Sequence, residues 1–168
     1  IVLRLADFVD DKKQKAKYIH TAASLSHKQL QDLDAAVQYY DKVLELDPTI
    51  VKALTEAIEL RRERQDWVGV ERLLKIQLQK AKDENNRDQA LATMDSLAEL
   101  YHRQLGWMSQ AIDAFEAAQS IDPDNRERNE RLADMYASDP AQYLDKAVHA
   151  QRAILKRNPH KPDPYKLL

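Results

Sequence analysis

The sequence contains no cysteine and only two glycines among its 168 residues. Without cysteine the chain can form no disulfide, no thiolate metal site and no cysteine nucleophile. Glycine makes up about 7% of an average protein, so its scarcity disfavours glycine-rich phosphate-binding loops and tight β-hairpin turns, which both need positive φ angles. The composition therefore favours an all-α chain.

The sequence also lacks a large excess of either charge. It contains 26 basic and 28 acidic residues, and the net charge is −2. The chain therefore has no overall field that would attract nucleic acid or an anionic membrane. No apolar run approaches the roughly 20 residues that a membrane-spanning helix needs. We expect a cytoplasmic protein with neither kind of partner, although a start at Ile1 without Met is also compatible with removal of a signal peptide.

Motifs of catalysis are absent from the sequence. It has no Gly-x-Ser-x-Gly elbow, no His-Glu-x-x-His pair, no phosphate-binding loop and no dinucleotide fingerprint. His20 and His27 share one helix face with Ser24, but two helical turns separate them by about 10 Å, too far to bind one metal ion. We therefore predict no enzyme activity, no metal and no cofactor.

A helical hairpin is present twice in clearly related form. Between Leu97 and Pro123 apolar residues recur at three- and four-residue spacing, with a turn at Gly106. The same pattern occurs 75 residues earlier, an interval too long for one hairpin and suited to two. The residues that correspond are Ala23 and Ala98, Ala36 and Ala111, Tyr40 and Phe115, and Val43 and Ala118. We expect these pairs to occupy matching packing positions.

The hairpin that ends at Pro123 resembles the tetratricopeptide repeat (TPR) family. Its matching residues are Leu97, Ala98 and Tyr101 on the first helix, Gly106 in the turn, and Ala111, Phe115, Ala118 and Pro123 in the second half. The resemblance implies an all-α, right-handed α-solenoid of antiparallel helical hairpins. It also implies a non-catalytic scaffold for protein–protein interaction.

On this basis residues 1–168 are predicted to form one array. Its parts are a partial repeat at 1–11, repeats at about 12–48, 49–86, 87–123 and 124–159, and the start of a further repeat at 160–168. The incomplete repeats at both ends lead us to expect a piece of a longer array.

Local signals indicate where several helices begin. We predict N-caps at Asp10-Asp11, at Thr49 and at Asp66, because a short polar side chain can accept hydrogen bonds from the first free backbone N–H groups of a helix. Pro140 is expected to begin the last long helix, where its missing N–H costs nothing. Leu30 is expected on the buried face of the first full repeat.

In the TPR family the first helices of successive repeats line a concave surface, which binds an extended peptide or a partner helix. Carried over by register, the predicted partner-binding residues are Lys17, His20, Ser24, His27, Lys28, Leu54, Ile58, Arg61, Arg62, Asp95, Glu99, His102, Arg103, Glu127, Glu130, Arg131 and Asp134.

The order of these residues runs from basic through apolar to acidic. We expect the acidic part of a partner near Lys17, Lys28, Arg61 and Arg62. Leu54 and Ile58 are expected to form an exposed apolar anchor, with any basic part of the partner near Glu99, Glu127, Glu130 and Asp134. A solvated helix face with chance charges is the alternative explanation, and the convex face is the alternative binding surface.

Two other functions are compatible with repeats of this kind. The array could be a regulatory or substrate-docking part of a larger enzyme or transcription-regulating protein. A hydrolase would need a convergent nucleophile and base, which the sequence does not indicate. The sequence leaves the partner, the pathway and the oligomeric state open.

Overall fold

A computed structural model describes residues 2–157, and this part of the chain consists of helices and short turns without a β-strand. The helices are α1 (Val2–Asp7), α2 (Lys12–Leu25), α3 (Leu33–Leu46), α4 (Val51–Glu63), α5 (Trp67–Asp83), α6 (Arg87–Leu100), α7 (Met108–Ile121), α8 (Arg126–Ser138) and α9 (Pro140–Arg157). The predicted all-α class is confirmed. The described residues do not include the repeat start predicted at 160–168. They also do not include residues 158–159, the end of the repeat predicted at 124–159.

The chain divides into two compact units, unit 1 with residues 1–80 and unit 2 with residues 81–168. Helices α2, α3 and α4 correspond to α6, α7 and α8 at an interval of 75 residues, at their first and their last residues alike. A π-helical turn follows the first helix of each set, at Ser26–Leu30 and at Tyr101–Leu105. The next residue has a positive φ, 54° at Gln31 and 67° at Gly106. The repetition thus extends to the backbone conformation of the turns.

Small residues lie where the helices of each hairpin meet. Helix α2 packs against α3 and α6 packs against α7, and the corresponding alanines Ala36 and Ala111 are both fully buried. Tyr40 and Phe115 fill the same position with exposures of only 1% and 2%. The burial of Ala23 and Ala98 also matches. The predicted equivalence of these packing positions is confirmed.

Two of the three predicted N-caps are confirmed. The Asp11 carboxylate accepts from the backbone N–H groups of Lys13 and Gln14, and Asp66 accepts from the N–H of Gly69. The prediction for Thr49 is wrong. The residue that precedes helix α4 is Ile50, whose apolar side chain makes no capping hydrogen bond. Thr49 instead donates its hydroxyl to Asp47 at 2.5 Å.

Leu30 was predicted to be buried, and this is wrong because its side chain is 71% exposed. The prediction assumed an unbroken α-helical period through the end of the first helix. The π-helical turn at Ser26–Leu30 has wider i to i+5 hydrogen bonding, so the side chains that follow Ser26 rotate away from the α-helical register. As predicted, α9 begins at Pro140.

Replacement of Ala111 with Leu should lower the free energy of unfolding by about 1–3 kcal/mol, because the larger side chain overpacks a fully buried contact. Urea unfolding followed by circular dichroism measures the change. The matched control is Gln110→Leu, which adds apolar atoms at the exposed neighbouring position and should change little. Equal unfolding midpoints for Ala111→Leu and the parent would contradict this packing assignment.

No helix in the described range 2–157 is both long enough and apolar enough to cross a membrane.

Candidate partner-binding site

Polar side chains spaced four residues apart converge on one carboxylate in unit 1. Glu56 of α4 is only 5% exposed. Its Oε2 accepts from His20 Nε2 at 2.7 Å and from Ser24 Oγ at 3.0 Å, while its Oε1 accepts from Lys28 Nζ at 2.9 Å. Tyr40 of α3 adds its hydroxyl at 3.2 Å. Glu56 therefore links three helices of unit 1.

The Glu56 carboxylate is held in its charged form. Burial by itself raises the pKa of Glu56, but the hydrogen bonds from Lys28, His20 and Ser24 outweigh burial and lower the pKa to about 2. Burial likewise raises the pKa of the Tyr40 hydroxyl, to about 12. At neutral pH the cluster thus combines an ionised carboxylate with neutral and cationic donors. His20, Ser24 and Lys28 are consequently bound to the fold as well as lying on the predicted face.

His27 points into the protein. The side chain is buried, and its Nε2 lies 3.1 Å from the carboxylate of Glu63. Its Nδ1 is buried without a hydrogen-bond partner among the described residues. The ring also meets Tyr40 edge-on, with 6.3 Å between centroids. His27 therefore contributes to packing and presents no surface to a partner.

Arg61 was expected on the exposed face, and this is wrong because the residue is only 8% exposed. Its guanidinium donates to both oxygens of Asp41 at 2.7 Å and to Asp66 at 2.5 Å. Burial opposes the charge, yet the hydrogen bonds to Asp41 and Asp66 outweigh it and raise the pKa of Arg61. Two carboxylates already neutralise this residue, so it offers no free charge to a partner.

The predicted apolar anchor at Leu54 and Ile58 is also wrong, because these residues are 1% and 7% exposed. Seven of the 13 residues of α4 are buried, which is more than a single amphipathic stripe would bury. The prediction assumed one buried and one open face for this helix. Both side chains belong to the core of unit 1.

In unit 2 a buried arginine of α8 joins the neighbouring first helix α6. Arg128 is 3% exposed and donates two parallel hydrogen bonds of 2.8 Å to the carboxylate of Asp95. It also donates to the backbone carbonyl of Asp122 at 3.0 Å. The bonds to Asp95 are the main reason that the pKa of Arg128 is raised. Asp95, another predicted partner-binding residue, therefore stabilises the helix packing.

The remaining charges of α6 and α8 pair with one another, both within each helix and between the two helices. Glu99 accepts from Arg103 Nε at 2.6 Å and forms an ion pair with Arg131. Arg131 also donates to Glu127 at 2.7 Å. The predicted residue Glu130 accepts from Arg126 at 2.8 Å. Most of the acidic end of the predicted surface is thus neutralised by neighbouring cations.

The polarity of these pairs is reversed between the units. In unit 1 an acid on α4, Glu56, meets donors on α2. In unit 2 a base on α8, Arg131, meets the acid Glu99 on α6. Glu56 and Arg131 correspond at the 75-residue interval. Sequence alone indicated the charge of each helix but not that facing helices would neutralise one another.

Four predicted residues remain open to a partner. They are exposed, and within residues 2–157 no hydrogen bond or ion pair engages their side chains: Lys17, Arg62, His102 and Asp134.

A pocket of about 270 Å³ lies between α6 and α8 in unit 2. We refer to it as the α6/α8 pocket, and it is lined by Glu99, His102, Arg103, Met108, Arg131, Asp134, Met135 and Ser138. Five of these eight residues were predicted from the sequence. The structure therefore brings part of the predicted set together around one concavity.

The sequence analysis missed Glu56, Met108, Met135 and Ser138. A signal for Glu56 was present, because it is a charged residue among the apolar positions of α4. The sequence also contained a signal for the pocket. At the 75-residue interval Glu63 corresponds to Ser138, whose shorter side chain leaves more space. Among residues 2–157 no group of three or more histidine or acidic side chains is arranged to hold a metal ion.

Comparison with known proteins agrees with this architecture. A family model described as tetratricopeptide repeat matches residues 18–50 and 91–125, which include the helices α3 and α7. No curated protein gives a significant sequence match.

Solved structures of MamA match most of the chain. One, titled MamA RS-1 ArsTM double mutant, superposes with a TM-score of 0.51 at 18% identity, covering 90% of this chain and 82% of that one. Another, MamA 41-end from Desulfovibrio magneticus RS-1, has a TM-score of 0.48 at 18% identity, covering 82% and 76%. At 18% identity the first of these matches shows a shared fold and nothing further.

Proposed function

We propose that the chain is a non-catalytic scaffold that binds a protein or peptide, since a tetratricopeptide-repeat model matches residues 18–50 and 91–125. We define the first-helix face of each unit as the exposed sides of its first helices, which are α2 and α4 in unit 1 and α6 and α8 in unit 2. The partner binds this face. The observation that carries this proposal is the α6/α8 pocket, which opens on that face and is lined by residues of successive first helices. Within each unit, packed hairpins present such a face without needing to reorganise.

The charge available to a partner is small and local. In unit 1 it comes from Lys17 and Arg62, and in unit 2 from Asp134. Complementary charge at such exposed positions mainly affects orientation and association rate. Since Leu54, Ile58 and Arg61 are buried, the binding determinants are the exposed polar residues and the pocket.

A photo-crosslinking experiment tests which face binds. The benzophenone amino acid p-benzoylphenylalanine is placed at Arg62 or at Ala137, which correspond on α4 and α8 and are both exposed. The controls are Gln38 and Asp113, which correspond on the second helices α3 and α7 and are also exposed. After irradiation in cells of the source organism, we expect the same partner band from the Arg62 and Ala137 positions and little from the controls.

Crosslinks that form equally or preferentially from Gln38 and Asp113 would place binding on the second-helix face and contradict the proposal. The charge contribution is read from Arg62→Glu combined with Lys17→Glu. This variant should crosslink less at low salt, and added salt should reduce the difference from the parent because screening removes an attraction that only the parent has.

Two carboxylates whose pKa values are lowered, Glu56 and Glu116, both contribute to helix packing. Glu116 accepts from Tyr136 at 2.7 Å and from Lys146 at 2.6 Å. A regulatory or docking role within a larger enzyme or transcription-regulating protein uses the same binding face and is compatible with this proposal.

A further inference from the structure

At the α6/α8 pocket the two units differ in the position of a histidine side chain. In unit 1 His27 is buried against Glu63. At the corresponding positions of unit 2, His102 is exposed and Ser138 replaces Glu63. The Ser138 hydroxyl donates to the carbonyl of Met135 at 2.7 Å and offers no carboxylate to an imidazole. The histidine ring consequently stays outside, and Ser138 lines the pocket.

The charges of the pocket favour a cation. Glu99 is engaged by Arg103 and Arg131, and Arg131 is also engaged by Glu127. Asp134 is the lining carboxylate for which residues 2–157 provide no ion-pair partner. An incoming carboxylate would find both guanidiniums occupied and would be repelled by Asp134. An incoming cation would meet an uncompensated negative charge.

The walls of the pocket fit a long aliphatic stem. Met108 and Met135 both line it, and methionine side chains are flexible and polarisable enough to pack against irregular apolar groups. Lysine and arginine have such stems, with the charge at the far end. The volume of about 270 Å³ suits one side chain rather than a helix or a folded segment.

We propose that the α6/α8 pocket receives one lysine or arginine side chain of the partner, with its cationic end at Asp134 and its stem between Met108 and Met135. This inference rests on the proposed function and identifies the chemistry of the partner residue at that site.

Methionine labelling provides a direct test. The chain contains three methionines, and 13C-methyl labelling therefore gives one signal from each. Met108 and Met135 line the pocket, whereas Met94 is buried on α6 outside it and is an internal control. The probe is the capped tripeptide acetyl-Gly-Arg-Gly-amide, compared with the same peptide containing citrulline, a neutral analogue of arginine, or glutamate.

The arginine peptide should shift the Met108 and Met135 signals saturably and leave Met94 unchanged. Substitution of citrulline for arginine, or Asp134→Asn in the protein, should each weaken this binding by about two- to fivefold, the range of one solvent-accessible ion pair. The matched control Asp113→Asn removes an exposed acid of α7 and should leave binding unchanged. An unaltered Met94 signal in each variant verifies that the fold is intact.

Equal shifts with the arginine and citrulline peptides, a preference for glutamate, or no shift at Met108 and Met135 would each overturn the proposal. The two proposals fail separately. If partner crosslinking from Arg62 and Ala137 persists while the arginine peptide shifts neither methionine, the scaffold function stands and the cation assignment is wrong.

Discussion

Replacement of Asp95 with Ala is expected to lower the free energy of unfolding by about 2–4 kcal/mol, because it leaves the buried guanidinium of Arg128 without its main partner. Asp95 supplies two hydrogen bonds of 2.8 Å to that side chain. In the variant the carbonyl of Asp122 still accepts one hydrogen bond, and the Asp122 carboxylate still lies 3.5 Å from the guanidinium. These contacts keep the loss below that of a completely orphaned charge.

A double-mutant cycle distinguishes the loss of a bond from the cost of a stranded charge. Arg128→Met replaces the guanidinium with an apolar side chain, so Asp95→Ala should cost much less in the Arg128→Met background than in the parent. The measurement is urea unfolding followed by circular dichroism at 222 nm. Glu45→Ala is the matched control, because Glu45 pairs with Lys42 at an exposed site where such pairs contribute about 1 kcal/mol or less. Equal losses for Asp95→Ala and Glu45→Ala would contradict the assignment.

Replacement of Glu56 with Gln is expected to lower the free energy of unfolding by about 2–3 kcal/mol at pH 7, because the pKa of this carboxyl differs strongly between the folded and unfolded chain. Its ordinary value is 4.5 and its value in the fold is about 2. A lowered pKa means that the folded state stabilises the ionised form. This contribution is complete above pH 4.5 and is lost as the pH falls from 4.5 towards 2.

The parent and the Glu56→Gln variant should therefore differ most near neutral pH, and their stabilities should converge as the pH approaches 2. Urea unfolding at a series of pH values measures both curves. Glu59→Gln is the control, because Glu59 lies one turn away on α4 and is exposed. A constant difference between the parent and Glu56→Gln at all pH values would show that ionisation of Glu56 does not contribute to stability.

The hairpins could be predicted because their determinants are local. One packing stripe recurs in both hairpins. It begins with an alanine, Ala36 or Ala111, which is followed four positions later by an aromatic residue and three positions after that by a small or β-branched residue. That spacing depends only on the helical period. The π-helical turns could not be predicted from it, because widening of the last turn changes hydrogen bonding without a distinct sequence pattern, and Leu30 was misplaced as a result.

The candidate site was harder to predict because exposure depends on what packs against each helix. The spacing of His20, Ser24 and Lys28 indicated one shared face. Only the structure shows that this face meets Glu56. Arg61 and Asp95 illustrate the same difficulty, since a charged residue looks exposed in a sequence until an opposing carboxylate or guanidinium is found across the helix interface.

The short sequence distance between partners in these ion clusters has a consequence for folding during synthesis. His20 and Glu56 are 36 positions apart, and Asp95 and Arg128 are 33 apart. The cost of closing such loops is modest, and domains generally fold as units from the N-terminus while the chain emerges from the ribosome. Glu56 and Arg61 find their partners within residues 1–80. A nascent chain can therefore neutralise these two charges before unit 2 has been translated.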